Sequence, residues 1–146
     1  MEGVMVRVLG PGDDGVLLAA DPELFDDPVT AEGARDFLAD GNQIMVMAFD
    51  GAEAVAFASG ALLRHPDKAP SLFVNEVSTL EGHRRRGLGR AVTRGVMDAA
   101  HRRWGCTEFW LGTEPDNDAA LGLYRAMGGD EGVFTLFAWG FRWDGS

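Results

Sequence analysis

Between Ser71 and Trp104 the chain changes its hydrophobic period. Ser71–Leu80 reads as a strand. Gly87–Trp104 reads as an amphipathic helix, with Leu88, Ala91, Val92, Val96 and Ala99 at three- and four-residue steps on one face and Arg90, Arg94, Asp98 and Arg102 on the other. The switch runs through His83-Arg84-Arg85-Arg86-Gly87-Leu88-Gly89-Arg90. Glycines there let the backbone approach a ligand without a Cβ in the way. The first N–H groups of the helix have no intrahelical partner and point outward. Arg84, Arg85, Arg86 and Arg90 lie at the positive end of the helix dipole, where acids are favoured. The arrangement repels itself until a polyanion joins it.

The rest of the chain supplies the other elements. Met5–Leu9 reads as a strand closed by Gly10-Pro11-Gly12, and Gly15–Ala20 as a short helix capped by Asp13 or Asp14. Asp21-Pro22 and Asp26-Asp27-Pro28 act as breakers. Thr30 caps a second helix through Ala39. Gln43–Phe49 and Ala54–Leu63 form a hairpin about Asp50-Gly51. Glu108–Gly112 is a short apolar strand. Asn117 or Asp118 caps a last helix that Gly128-Gly129 ends, and Val133–Trp143 is expected as a final aromatic strand. The order predicts an α/β (α+β) fold, a mixed sheet with helices on its faces, in one domain over residues 1–146.

Charge narrows the function classes. The net charge is −10, but residues 1–60 hold twelve acids against Arg7 and Arg35, and residues 83–103 hold seven arginines against Asp98. One basic locus on an acidic body speaks against general nucleic-acid binding and for a local anion site that also draws cations. No run approaches the roughly 20 apolar residues of a membrane span, and no signal peptide is read at the N-terminus. Cys106 is the only cysteine, which points to a core residue in a reducing cytoplasm. No metal-ligand pattern is read.

Two motifs at a fixed separation now carry a resemblance. Arg84, Gly87 and Gly89 meet a Gln/Arg-x-x-Gly-x-Gly/Ala pattern; Asn117, Ala120, Leu123 and Tyr124 meet Asn-x-x-Ala-x-x-Leu-Tyr. The chain thereby resembles the GCN5-related N-acetyltransferases (GNAT) from about Gln43 to Trp143. It is neither a Walker-type loop, since no Lys-Ser/Thr follows the glycines, nor a dinucleotide fingerprint, since the third glycine is missing. The resemblance implies a mostly antiparallel sheet splayed at the cofactor strand, and acetyl-CoA as co-substrate. Backbone N–H groups from about Arg85 to Arg90, Leu88 included, would hold the pyrophosphate, with charge from Arg84, Arg85, Arg86 and Arg90. The pantetheine arm would pair with Val77, Ser78 and Thr79 beside a strand that diverges.

Acetyl transfer requires a base for the amine, a donor for the carbonyl oxygen and an acid for the leaving thiolate. The resemblance gives the oxygen a backbone N–H near Val77, the thiolate Tyr124, and the cofactor a hydrogen bond from Asn117. Glu76, Glu114 and Asp116 are the candidate bases, Glu76 first. Within the family the closest likeness is to aminoglycoside 3-N-acetyltransferases, through Glu76-Val77-Ser78-Thr79, His83-Arg84-Arg85, the stretch Glu114–Tyr124 and Glu131. The expected acceptor is a small polycationic amine, with a protein or peptide amine and a non-catalytic acyl-CoA sensor as the alternatives. Dimers are common in the family, and the aromatic last strand would suit a homodimer interface.

Overall fold

The computed structural model describes residues 3–140, which fall into two compact units, one ending at Glu114 and one beginning at Pro115. The first is a five-stranded sheet in the order β1-β2-β3-β4-β5, made of β1 (Val4–Val8), β2 (Gln43–Asp50), β3 (Glu53–Leu63), β4 (Ser71–Thr79) and β5 (Glu108–Trp110). The first four strands are antiparallel and β5 runs parallel to β4. The turn at Asp50-Gly51 forms the β2–β3 hairpin, with Gly51 at φ 63° supplying the left-handed step.

Helices cover both faces. β3 is the buried centre: every residue from Ala54 to Gly60 is out of solvent, as a strand sandwiched between helices requires. On one face lies α3 (Leu88–Trp104), with Leu88, Val92, Val96 and Ala99 buried as the periodicity predicts, and Thr93 and Ala100 beside them. Gly105, at φ 76°, ends it. The opposite face carries α1 (Asp14–Ala19), a 3₁₀ turn (Pro22–Leu24) and α2 (Ala31–Ala39). There Phe25 stacks on Phe57 with ring centroids 5.0 Å apart. Burying a side chain of this size contributes about 1.5–3 kcal/mol. Thr30 caps α2 by accepting from the Gly33 N–H at 2.9 Å. Asp13 precedes α1 but gives it no side-chain cap; its carboxylate instead accepts from the Gly10 N–H and from Arg7. Cys106 is wholly buried, and burial pushes its thiol up, as befits a core residue. No described helix is long and apolar enough to cross a membrane.

The second unit contains α4 (Asp118–Ala126). Asn117 Oδ1 accepts from the Ala120 N–H at 3.1 Å and caps it. Gly128, at φ 82°, ends it, and the Gly129 N–H closes on the Tyr124 carbonyl at 3.1 Å. Arg125 grips Glu131 with two hydrogen bonds, of 2.7 and 2.9 Å. The expected strand at 133–143 does not form where it is described. Residues 133–140 have no strand pairing, and Phe134, Phe137 and Trp139 are 67%, 74% and 87% exposed. The pattern explains this. Val133-Phe134 and Leu136-Phe137 are adjacent apolar pairs, so neither side of an extended chain is consistently apolar, and α4 offers no ladder to pair with. Residues 141–143 lie outside the described residues.

Candidate active site

The site is built where two strands part. β4 pairs with β3 along its length, from Ser71 opposite Leu63 to Thr79 opposite Ala56. It pairs with β5 only over Ser71, Leu72 and Phe73, opposite Glu108, Phe109 and Trp110. Beyond Phe73 the outer edge of β4 has no strand partner among the described residues. The register adds a bend: Ser59 faces Glu76 but Gly60 faces Val74, so Asn75 is an extra residue in β4. A bulge of this kind turns a strand and re-aims its side chains. Val77, Ser78 and Thr79 are half-buried along the open edge. An extended amide-bearing ligand can complete such an edge through backbone hydrogen bonds.

β4 leads directly into the glycine turn. Leu80 anchors the entry by donating its N–H to the Val55 carbonyl at 2.9 Å, and a 3₁₀ turn (Glu81–His83) follows. Arg85 then takes φ 66° and Gly87 φ 75°. A non-glycine residue held left-handed costs about 1 kcal/mol and marks a backbone fixed for a purpose. Left-handed steps between right-handed ones gather N–H groups into an anion-binding nest. The first backbone bond of α3 runs from the Ala91 N–H to the Gly87 carbonyl at 3.0 Å, and no side chain caps the helix. The Leu88, Gly89 and Arg90 N–H groups are therefore left for a ligand. Leu88, 1% exposed, fastens this end of the helix to the core. Thr93 Oγ1 donates to the Gly89 carbonyl at 2.7 Å.

The arginines of the turn differ in their surroundings. Arg84, Arg85 and Arg90 are exposed, with no ion pair among the described residues. Arg86 is half-buried and donates to Asp50 at 3.0 Å. Three cations thus face solvent at the positive end of α3, while the fourth is answered by the protein itself.

Among the acids, Glu76 is set apart. It follows the bulge and shares a face of the sheet with Ser59, its cross-strand partner. Glu76 is exposed on β4, yet partial desolvation of its carboxyl, and then the charge of Asp26, push it above the ordinary carboxylate range. Ser59 Oγ is buried without a hydrogen-bond partner. Sequence reading missed both neighbours: Asp26 belonged to an apparent chain breaker, and Ser59 to an unremarked strand position. Glu114 and Asp116 are exposed. In the second unit, Asn117 spends its side-chain oxygen on the α4 cap, leaving its amide hydrogens to donate. Tyr124 is half-buried on α4, and burial pushes its phenol up, so it keeps its proton at neutral pH.

Residues 16–128 match the model of the Acetyltransferase (GNAT) family. The chain belongs to the GNAT family. No curated protein matches it in sequence. Among solved structures, the aminoglycoside acetyltransferase meta-AAC0020 from an uncultured soil metagenomic sample, in complex with sisomicin, is similar with a TM-score of 0.83 at 14% identity, over 96% of this chain and 97% of that one. The structure of AAC(6')-Iy in complex with a bisubstrate analogue, CoA-S-monomethyl-acetylneamine, gives 0.76 at 18% identity, over 95% and 99%. A ribosomal-protein-alanine N-acetyltransferase from Brucella melitensis biovar Abortus 2308 gives 0.73 at 16% identity, over 94% and 99%.

As a GNAT protein the chain is an acyltransferase, and acetyl-CoA is its co-substrate. Its residues fit that molecule. The turn offers uncapped N–H groups and three uncompensated arginines to a pyrophosphate. The free edge of β4 offers a ladder to the amides of the pantetheine arm.

Proposed function

We propose that this GNAT domain transfers the acetyl group to a primary amine by direct attack in a ternary complex, and that the acceptor is a small polycationic amine of the aminoglycoside class. The observation that carries the reading is the place of Glu76, directly after the bulge and directly before the open stretch Val77–Thr79 of β4. Partial desolvation first, and then the negative charge of Asp26, raise its carboxyl. A polycation entering there relieves the repulsion, and a raised carboxylate is a better proton acceptor than an ordinary one. In this reading Glu76 takes the proton of the amine, directly or through water. The Val77 N–H donates to the carbonyl oxygen, and Tyr124 returns a proton to the leaving thiolate. Val77, Ser78 and Thr79 align the pantetheine arm, the turn from Arg84 to Arg90 holds the pyrophosphate, and Asn117 donates to the cofactor. The acidic N-terminal 60 residues and the aminoglycoside complexes among the structural neighbours support this acceptor class.

The likeness to a ribosomal-protein-alanine N-acetyltransferase favours a second reading, in which the acceptor is a protein N-terminus. A thiol-release assay with acetyl-CoA separates the two when run across aminoglycosides, linear polyamines, amino acids and alanine-terminated peptides. Release with aminoglycosides is expected. Release with peptides alone would replace the first reading by the second. Tight acetyl-CoA binding without release to any amine would make the protein a sensor.

A further inference from the structure

Arg86 stands in the glycine turn, but its guanidinium is committed to the protein. Its Nη1 lies 3.0 Å from Asp50 Oδ2 and 2.7 Å from His83 Nδ1. One nitrogen with two hydrogens serves both acceptors. Since His83 Nδ1 accepts, the proton of the neutral ring sits on Nε2, which lies 3.5 Å from Glu53 Oε1. Asp50 and Glu53 are register partners that close the β2–β3 hairpin, 36 and 30 residues before the side chains they meet. The network therefore ties the turn to a rigid corner of the sheet. The turn needs such a tie. It holds Arg85 in a left-handed conformation, it lacks a side-chain cap, and its core anchors, Leu80 and Leu88, lie only at its two ends.

We infer that Arg86 and His83 are positioning residues: with Asp50 and Glu53 they clamp the turn in its anion-binding shape, and the anion itself is left to the backbone N–H groups and to Arg84, Arg85 and Arg90. This rests on the reading of the turn as the pyrophosphate cradle. The clamp makes a prediction opposite in sign to simple electrostatics. Removing Asp50 deletes a negative charge near an anion site, and frees Arg86 to reach the anion, so Coulomb attraction alone would tighten acetyl-CoA. Loss of the clamp loosens the cradle and weakens it.

The test is steady-state kinetics of Asp50→Ala with two donors, acetyl-CoA and S-acetylpantetheine, which lacks the pyrophosphate. The clamp predicts a KM for acetyl-CoA raised about two- to fivefold, the range a half-exposed ion pair supplies. It predicts an unchanged kcat and an unchanged KM for S-acetylpantetheine. Asp50→Asn keeps an acceptor for Arg86 and recovers most of the affinity. An unchanged or lowered KM for acetyl-CoA overturns the clamp. So does an equal loss with both donors, which marks Asp50 as merely structural. Calorimetry on Gly89→Glu separates the clamp from the reading beneath it. Retained acetyl-CoA binding there sinks the cradle and the clamp together. Lost binding there, with Asp50→Ala at wild-type KM, sinks the clamp alone.

Discussion

Glu76 and Tyr124 carry opposite halves of the proposed proton traffic, and desolvation raises both. For a base the consequence is a displaced acidic limb. Glu76 acts only when deprotonated, so kcat/KM rises with pH through a carboxyl lying above the ordinary range. Asp26→Asn removes the second cause of that shift, and the limb moves to lower pH; an unmoved limb would take Asp26 out of the surroundings of Glu76. Glu76→Gln removes the limb with most of the activity. The same shift bears on stability. The folded state binds this proton more tightly than the unfolded chain does, so the contribution is present at low pH and is lost as pH rises through the raised value. In the same kinetic series, Tyr124→Phe lowers kcat about a hundredfold, the usual size of a general-acid contribution, with little change in acetyl-CoA affinity. At this scale the motif residues were legible because their spacing is local. Their modifiers were not. Asp26 lies fifty residues before Glu76 in the chain, and Asp50 thirty-six before Arg86, so only the folded sheet brings each pair together.

Helix α3 shows what periodicity reveals and what it omits. Its apolar stripe and its end at Trp104 were readable as pattern. The role of Gly95 was not. A Cβ there would lie 2.9 Å from Val46 Cγ1 and 3.3 Å from Val6 Cγ1, so the glycine sets how closely the helix seats on β1 and β2. Helix propensity alone favours replacing an interior glycine by about 1 kcal/mol. Overpacking against two stiff β-branched side chains opposes this and wins for a large residue. Gly95→Leu is expected to destabilise the fold by about 2 kcal/mol, read as a lowered urea midpoint at unchanged m-value. A raised midpoint would show that propensity dominates. The segment at 133–140 is the converse case. Its aromatic content suggested a strand, but apolar residues on both sides of an extended chain do not fix a register, and composition cannot supply a pairing partner.

Over the whole molecule, charge and topology divide the labour. The order of elements along the chain as far as α4 was legible from the strand and helix signals, while the order of strands in the sheet became clear only in the structure. The early parting of β5 from β4 was expected only by family resemblance, since no local signal in Glu108–Gly112 tells where pairing ends. That parting, together with the bulge at Asn75 and the uncapped start of α3, is what the proposed cofactor site rests on, and the twelve acids of the N-terminal 60 residues give the chain a negative potential that draws cations. The most direct test is amide hydrogen exchange with and without saturating acetyl-CoA. Exchange should slow at Val77 and Thr79, whose N–H groups alternate with the β3-facing one of Leu80 and so point to the free edge of β4, and at Leu88, Gly89 and Arg90 at the start of α3, with β1 unchanged. Protection that falls elsewhere and leaves these amides as they were would contradict the account.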